Sequence, residues 1–331
     1  MRIRPFMTGV LILTTAVALA AQSTIGQIRL AEGAESGNQL KEPVIDASQT
    51  APIAIGTFTA AYDKKALFVR RGTSGMFGRG PEYKLDPKVD VGAVLAESLR
   101  AQASAMGFKV GESGWRLSGA VRDVYLESRQ IPYGATLFYA YLAVDVQVQN
   151  PAGASSTVPM RLHHYFGGYN AGGGRRDEAE TAAAQLLIEG AQDLLARLNR
   201  DHFKAPPHPS IAAKLAGIRA GSLLKQFPAL RAIGLSGLPE ATPALLGVLP
   251  QEKDENARAT IISALASLGS PASVSVLGNR YATEDEDCRW YTLKALDYIG
   301  TDEALKVVRS AGLVDKDTGP QRLARRITGT K

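Results

Sequence analysis

Cysteine is almost absent from this chain of 331 residues, which contains only Cys288. Without a second thiol no intramolecular disulfide can form, so the stability of the fold must come from packing. When the C-terminal part of the chain is aligned in steps of 30 and 31 residues, Cys288 shares a column with Phe227 and Ala257. This apolar column predicts a buried, unreactive thiol rather than a nucleophile or an intermolecular bridge.

Dense charge of one sign is also missing. The chain has 38 Lys and Arg against 32 Asp and Glu, which gives a formal net charge of +6 with both signs interspersed. This balance provides no basic patch for nucleic acid, which we exclude as a partner, and no strong attraction to an anionic membrane. Contact with a membrane is therefore expected to be indirect, or to come from an N-terminal leader.

The apolar runs are short. Residues 10–19 form the apolar part of the N-terminus, which starts with Arg2 and Arg4 and ends in the small-x-small pattern Ala18-Leu19-Ala20. These features predict a Sec-type signal peptide over residues 1–20 and a periplasmic or secreted protein, with an uncleaved leader as the alternative. Because no cysteine lies near the cleavage site, lipid attachment of the usual bacterial kind is excluded.

Catalytic and cofactor motifs are lacking as well. The glycine-rich stretches 72–80 and 167–174 match neither the Walker pattern nor the dinucleotide fingerprint. Backbone N–H groups of such loops could nevertheless hold an anion, which leaves a small-ligand, anion-binding or hydrolytic protein as an alternative to a long hairpin loop without a site. The arginines beside or within these loops are Arg70, Arg71, Arg79, Arg175 and Arg176. We predict no cofactor and no resident metal.

Two polar clusters could suggest a metal, but their spacing does not support one. His163 and His164 are neighbours on a predicted strand, so their imidazoles point to opposite faces and cannot converge on one ion. The acidic runs 252–255 and 284–287 lack the alternating carboxylates and central glycine of a calcium loop. Both runs precede predicted helices, where carboxylates stabilise the helix N-terminus.

The first half of the mature chain predicts an α+β domain at residues 51–204, after a flexible leader at 21–50. Residues 137–149 alternate between apolar and polar side chains, which predicts a strand with one packed face and one that meets water or a partner. A helix is predicted from Asp90, its N-cap, to a stop at Gly107, and a second runs from Asp177 to about Phe203. Around them we expect an antiparallel sheet with both helices on one side, and a bulge near Asp123.

This order of elements resembles small bacterial envelope proteins of the YajG type and the auxiliary lipoproteins of ABC transport systems. The stretch IAIG at 53–56, the helix that runs into FKV at 108–110, the long strand 137–149 and the closing Ala-rich helix carry the resemblance. It implies a place in the cell envelope. Members of that kind are usually lipid-anchored, whereas this chain lacks the anchoring cysteine.

The proline-rich segment 205–209 predicts a linker, and residues 210–331 after it predict an all-α repeat domain. A helix is expected at 211–227, and the stretches AIGLSGL, ISALASLG and LKALDYIG then recur at 232, 262 and 293. Each unit predicts two helices joined at a corner, at Pro239, Gly269 and Gly300, with a polar last helix as a cap. The predicted repeat core consists of Leu235, Leu238, Leu265, Leu268, Leu296 and Ile299.

The three units resemble HEAT-like repeats of the short, PBS-lyase type, a resemblance that implies a concave protein-binding surface and no lyase chemistry. Together with the leader, it predicts a non-enzymatic scaffold or adaptor exported to the envelope. In this hypothesis the α+β domain docks on an envelope assembly, and the repeats bind a second protein.

Overall fold

The computed structural model describes residues 26–28, 40–48, 50–62, 67–71, 83–86, 88–130, 136–168, 176–221 and 226–329. The predicted signal peptide, the first glycine-rich stretch with Arg79, and Arg175 lie outside the described residues. So do the side chains of Arg70, Arg71 and Arg176, although their backbones belong to a strand and a helix.

The N-terminal half forms a sheet with two helices, which confirms the α+β class. Its elements are β1 (Gly26–Ile28), β2 (Ile53–Ala60), β3 (Leu67–Arg71), β4 (Tyr83–Leu85), α1 (Val91–Met106), β5 (Trp115–Gln130), β6 (Thr136–Gln149), β7 (Ser155–Gly168) and α2 (Arg176–Leu198). Strands β5, β6 and β7 form the expected antiparallel meander, with a register shift between Val121 and Asp123. Strand β2 pairs parallel to β5, because α1 returns the chain to the same end of the sheet.

The alternation along β6 places different chemistry on the two faces of the sheet. Phe138, Leu142 and Val146 are fully buried on the face that packs against α1 and α2, whereas Tyr139 and Tyr141 lie on the opposite, outer face. Helix α1 begins as predicted, since the Asp90 carboxylate accepts hydrogen bonds from the first turn. Both helices of the domain therefore share one side of the sheet.

Residues 40–48 of the predicted leader pack against α1 and the proline-rich segment. Val44 and Ile45 are buried, and their N–H groups both donate to the carbonyl of Met106. The N–H of His208 donates in turn to the carbonyl of Val44, and Ile45 forms a β-bridge with Pro207. The prediction of a flexible leader is thus wrong for residues 40–48, because these residues and the proline-rich segment supply each other's backbone partners.

The C-terminal half is all helical. It comprises α3 (Ser210–Ala216), α4 (Phe227–Ser236), α5 (Ala241–Val248), α6 (Glu255–Leu268), α7 (Val274–Arg280), α8 (Glu286–Ile299), α9 (Asp302–Val314) and α10 (Thr318–Thr328). Helices α4, α6 and α8 pack side by side as inner helices, and α5, α7 and α9 alternate with them as outer helices. The helix expected at 211–227 is shorter, because α3 ends before Gly217.

Contacts between the units follow the predicted repeat register. A Cβ added to Gly234 would lie 2.8 Å from the Cα of Ala264, the residue in the same column one unit later. Leu235, Leu265, Leu268 and Leu296 are buried, whereas Leu238 and Ile299 are half-buried.

The inner helices end at glycines in the left-handed conformation: Gly237, Gly269, Gly300 and Gly329. The first corner is therefore at Gly237 and not at Pro239, because the positive φ that stops the helix is reached two residues earlier. Helix α10 ends in the same way and packs on α8 and α9, in the place of a fourth inner helix.

Two arginines in one repeat column tie the second unit to the third and the third unit to the segment before α10. Arg258 on α6 forms ion pairs with Glu284 and Asp285, and Asp285 accepts from the N–H of Cys288 as the N-cap of α8. In the corresponding column Arg289 pairs with acidic residues that precede α10. Asp254 caps α6 in the same manner. Both acidic runs thus cap helices, as the sequence predicts, and the second run also forms ion pairs with arginines.

Candidate interdomain site

The repeat helices pack on the α+β domain with their inner side. Helices α4 and α6 contact α2, while α8 contacts both α6 and β7. Helix α10 reaches the outer face of the sheet, where Arg326 lies 3.8 Å above the ring of Tyr125 and Arg322 pairs with Glu127. The expected polar cap is therefore a docked helix. The inner face of the repeats, which was expected to bind another protein, is covered by the chain's own first domain.

Helix α8 covers an otherwise open edge of the sheet. Strand β7 pairs only with β6 among the described strands, so every second N–H and C=O along its other edge lacks a strand partner. The N–H of His163 donates to the hydroxyl of Tyr298 at 3.3 Å, and the hydroxyl of Tyr291 donates to the carbonyl of Tyr165 at 3.4 Å. Two tyrosines of one repeat helix thus replace the missing strand.

Aromatic rings fill the contact between α8 and the outer face of the sheet. Trp290 lies with its ring centroid 4.5 Å from Tyr139 and 5.4 Å from Tyr165, and Tyr125 stacks on Tyr141 at 5.0 Å. These side chains contribute large apolar areas, and their paired rings add about 0.5–1.5 kcal/mol per pair beyond the area term. The face that the sequence assigned to water or a partner meets the second domain.

A buried polar chain connects the two domains beside these rings. The hydroxyl of Tyr139 donates to Nδ1 of His163 at 2.5 Å, and Nε2 of His163 donates to Asp297 at 2.7 Å. Arg161 binds the same carboxylate through Nε, 3.0 Å from each oxygen. Burial lowers the pKa of His163, against the opposing effect of Asp297, so the imidazole is neutral and bears its proton on Nε2.

This Tyr–His–Asp series has the composition of a catalytic relay but not its accessibility. Tyr139 and His163 expose only 4% and 2% of their surface beneath Trp290. Burial alone would raise the pKa of Asp297, but its hydrogen bonds from His163 and Arg161 outweigh burial and lower it. The series therefore holds a charged aspartate between the domains, and no substrate can reach its tyrosine.

A second buried network lies on the other side of β7, around Asp193 of α2. Its carboxylate binds Arg231 at 2.7 Å and Lys294 at 2.9 Å, and it accepts from the hydroxyl of Ser267 at 2.7 Å and from that of Tyr298 at 3.3 Å. Burial would raise the pKa of Asp193, but the two cations outweigh it and hold the pKa below its usual value. One side chain of α2 thus joins α4, α6 and α8.

His164 completes the interface from the inner face of the sheet. Its Nδ1 lies 2.9 Å from Glu189 and its Nε2 lies 2.9 Å from the amide oxygen of Gln185. Burial would raise the pKa of Glu189, but the interactions of its carboxylate with His164, Arg231 and Lys294 together outweigh burial and lower the pKa. The two adjacent histidines therefore point to opposite faces, as predicted, and each is held by a carboxylate from a different element.

A cleft of 240 Å³ remains between α2 and β7 on one side and α4, α6 and α8 on the other. Its walls are formed by His164, Tyr165, Gln185, Glu189, Phe227, Arg231, Thr260, Ser263, Ala264 and Tyr291. This cleft is the part of the concave repeat surface that the first domain leaves open.

The turn after α2 fastens the two domains at a further point. Residues Asn199–Phe203 form a π-helical turn, which carries Arg200 to the end of α6. Its Nη1 donates to the carbonyl of Leu268 at 2.9 Å, one of the carbonyls that a helix end leaves without a partner. A side chain at Gly269 would collide with this guanidinium group, since an added Cβ would lie 1.9 Å from Nη1.

Glu284, Asp285 and Cys288 are close enough to one another to bind a metal ion in principle. Their chemistry does not fit this role, because Arg258 and Arg280 neutralise Glu284 and Asp285 caps α8. The thiol of Cys288 is fully buried, and burial raises its pKa far above the ordinary value. Its place in the repeat core agrees with the prediction of an unreactive cysteine.

Sequence reasoning missed most residues of this interface. Asp193, Arg231, Lys294 and Asp297 lie on three helices, α2, α4 and α8, and nothing in the sequence connects these helices at those positions. One signal was available: Arg258 and Arg289 share a repeat column, and each precedes acidic residues of the next unit by a similar distance. The predicted arginine loops contribute no described side chain, so an anion site there stays a prediction.

Comparisons with known proteins give a family match in the C-terminal half of the chain. Residues 225–296 match the protein family of HEAT repeats. The predicted resemblance is confirmed for this part, which is less than a quarter of the chain. No curated protein matches the chain. Within the described residues, every helix is too short or too polar to cross a membrane.

Two solved structures match the N-terminal part. A Xanthomonas campestris protein of the DUF330 family has 12% identity and a TM-score of 0.29, and the match covers 46% of this chain and 89% of that one. A minor lipoprotein from Acinetobacter baumannii has 15% identity and a TM-score of 0.26, with coverages of 35% and 89%.

Proposed function

We propose that this chain is an exported, non-catalytic scaffold or adaptor of the cell envelope that acts as one rigid body. The observation that carries the proposal is the buried interface described above. It fixes HEAT-like helices onto the α+β domain and leaves their outer helices at the surface. Export is supported by the predicted signal peptide, and the binding role by the HEAT repeats, which generally mediate contacts between proteins.

The covered inner face changes where a partner is expected. Trp290 and Tyr298 of α8 are committed to the first domain, so we expect a partner to bind the outer helices. Ser275 on α7 and Lys306 on α9 are exposed and lie on this outer side. A fragment of residues 210–331 would expose apolar rings that are buried in the whole chain. These rings would bind other proteins non-specifically, so the fragment is unsuitable for the test.

The test uses the full chain in its native envelope. A photo-crosslinking residue at Ser275 or Lys306 should capture the same envelope protein, whereas one at exposed Thr157 on β7 serves as the matched control. Capture that is equal at all three positions, or absent from both outer helices, would contradict the proposal. Cell fractionation with N-terminal sequencing of the mature protein tests export separately.

A further inference from the structure

The cleft between the domains has no role in the proposed scaffold, and its chemistry is distinct from that of the buried contacts around it. Its walls come from both domains, so the cleft exists only when they are docked. At 240 Å³ it is smaller than the roughly 300–1,000 Å³ of pockets for drug-sized ligands, which suits one small ring.

The charged groups that line the cleft are already paired. Arg231 uses its five N–H groups on Gln192, Asp193, Ser267 and the carbonyl of Glu189. His164 and Glu189 bind each other. No guanidinium or carboxylate in the cleft is thus left to recognise an ion, and a charged ligand would pay desolvation without gaining a partner.

Three half-buried aromatic side chains form the apolar part of the cleft: Tyr165, Phe227 and Tyr291. The rings of Tyr165 and Tyr291 meet at 83° with centroids 6.3 Å apart, so they form a corner and not a slot. A saturated ring can place a face of C–H groups on one wall of a corner and its edge on the other.

Polar groups without a committed role complete the lining. The amide oxygen of Gln185 lies within hydrogen-bond distance of His164. Among the described residues, neither the NH₂ group of Gln185 nor the hydroxyl of Ser263 has a hydrogen-bond partner. Thr260 donates to the carbonyl of Asn256 and keeps its oxygen as an acceptor. These groups offer donors and acceptors in the mixture that alcohol groups require.

We propose that this interdomain cleft binds a single neutral sugar ring, with one pyranose face on the aromatic corner and its hydroxyls on Gln185, Ser263 and Thr260. Free sugar and the end residue of a glycan present the same ring to the cleft. The end residue can project from the open side, so both sources are compatible with its size.

The experiment measures binding of D-glucose, D-galactose, N-acetyl-D-glucosamine and their β-linked disaccharides to the full chain. Saturation-transfer NMR at about 10 mM ligand detects affinities down to the millimolar range. We expect at least one pyranose to bind, with inorganic phosphate and indole as negative probes. Ser263→Phe should weaken binding at least about tenfold, and Ser263→Ala combined with Thr260→Val about three- to tenfold.

Ser275→Phe is the matched control, because it adds the same ring to an exposed serine of α7 and should leave binding unchanged. Urea unfolding shows whether each variant folds, and the Ala/Val pair preserves the test if the Phe variant does not. Absence of binding by every sugar would overturn the proposal. So would binding that Ser263→Phe leaves intact, or stronger binding of phosphate or indole.

Discussion

Replacing Asp193 by Asn tests the claim that buried charge fastens the two domains together. The substitution keeps the shape of the side chain but removes its negative charge from a position between Arg231 and Lys294. Both cations are almost fully buried, with 9% and 4% of their side chains exposed, and within the described part of the chain neither forms an ion pair with a second carboxylate. Breaking such a pair from one side costs about 3–5 kcal/mol, out of a total of about 5–15 kcal/mol for a typical domain.

Asp201→Asn provides the control within the same stretch of chain. Asp201 pairs with Arg197 and Arg200, but 40% of its side chain is exposed, so its loss should cost about 0–1 kcal/mol. Urea unfolding followed by far-UV circular dichroism gives the free energy of unfolding for both variants. Added salt should change the Asp201 result and leave the Asp193 result almost unchanged. A loss below about 1 kcal/mol for Asp193→Asn would refute the reasoning.

Three further predictions concern pH, packing and cooperativity. Burial lowers the pKa of His163, so near pH 6.5 this histidine binds a proton more readily in the unfolded chain than in the folded chain. The free energy of unfolding should be highest above this pH and should decrease at lower pH by up to about 1.4 kcal/mol per pH unit. In urea titrations, His163→Gln should reduce this slope. Gly234→Ala should destabilise by about 1–3 kcal/mol, since its methyl group would meet the α6 backbone, whereas Gly247→Ala, with open space around it, should not. Single-tryptophan variants that retain Trp115 in β5 or Trp290 in α8 should unfold at the same urea concentration, and separate midpoints would contradict a rigid body.

Local patterns of the sequence predict the elements of the fold well. The alternation along β6 and the caps at Asp90 and Gly107 depend on neighbours within a few residues, and the structure agrees with them. The first corner was predicted at Pro239, but it lies at Gly237. This glycine, two residues earlier, already takes the positive φ that ends the helix. The packing of Val44 and Ile45 was not predicted, because two neighbouring apolar residues are too few to form a periodic pattern.

The interdomain site shows what sequence patterns leave out. The opposite directions of His163 and His164 follow from strand geometry and were predicted. Their carboxylate partners were not, because Asp297 and Glu189 come from separate helices whose positions depend on the whole assembly. The outer face of β6 was expected to meet water or a partner, but it packs against a later part of the same chain. Periodicity alone cannot indicate this.

The closure of the β7 edge has a consequence for the time order of folding. His163 and Tyr298 are separated by 135 residues, so the sheet can be complete while its last strand still waits for α8 to be synthesised and folded. Contacts at this separation form late and slowly, and until then an open strand edge invites pairing with other chains. Newly made protein is therefore prone to aggregate until α8 has folded onto β7. A chaperone that binds the chain during this time would raise the yield of folded protein without changing its free energy of unfolding.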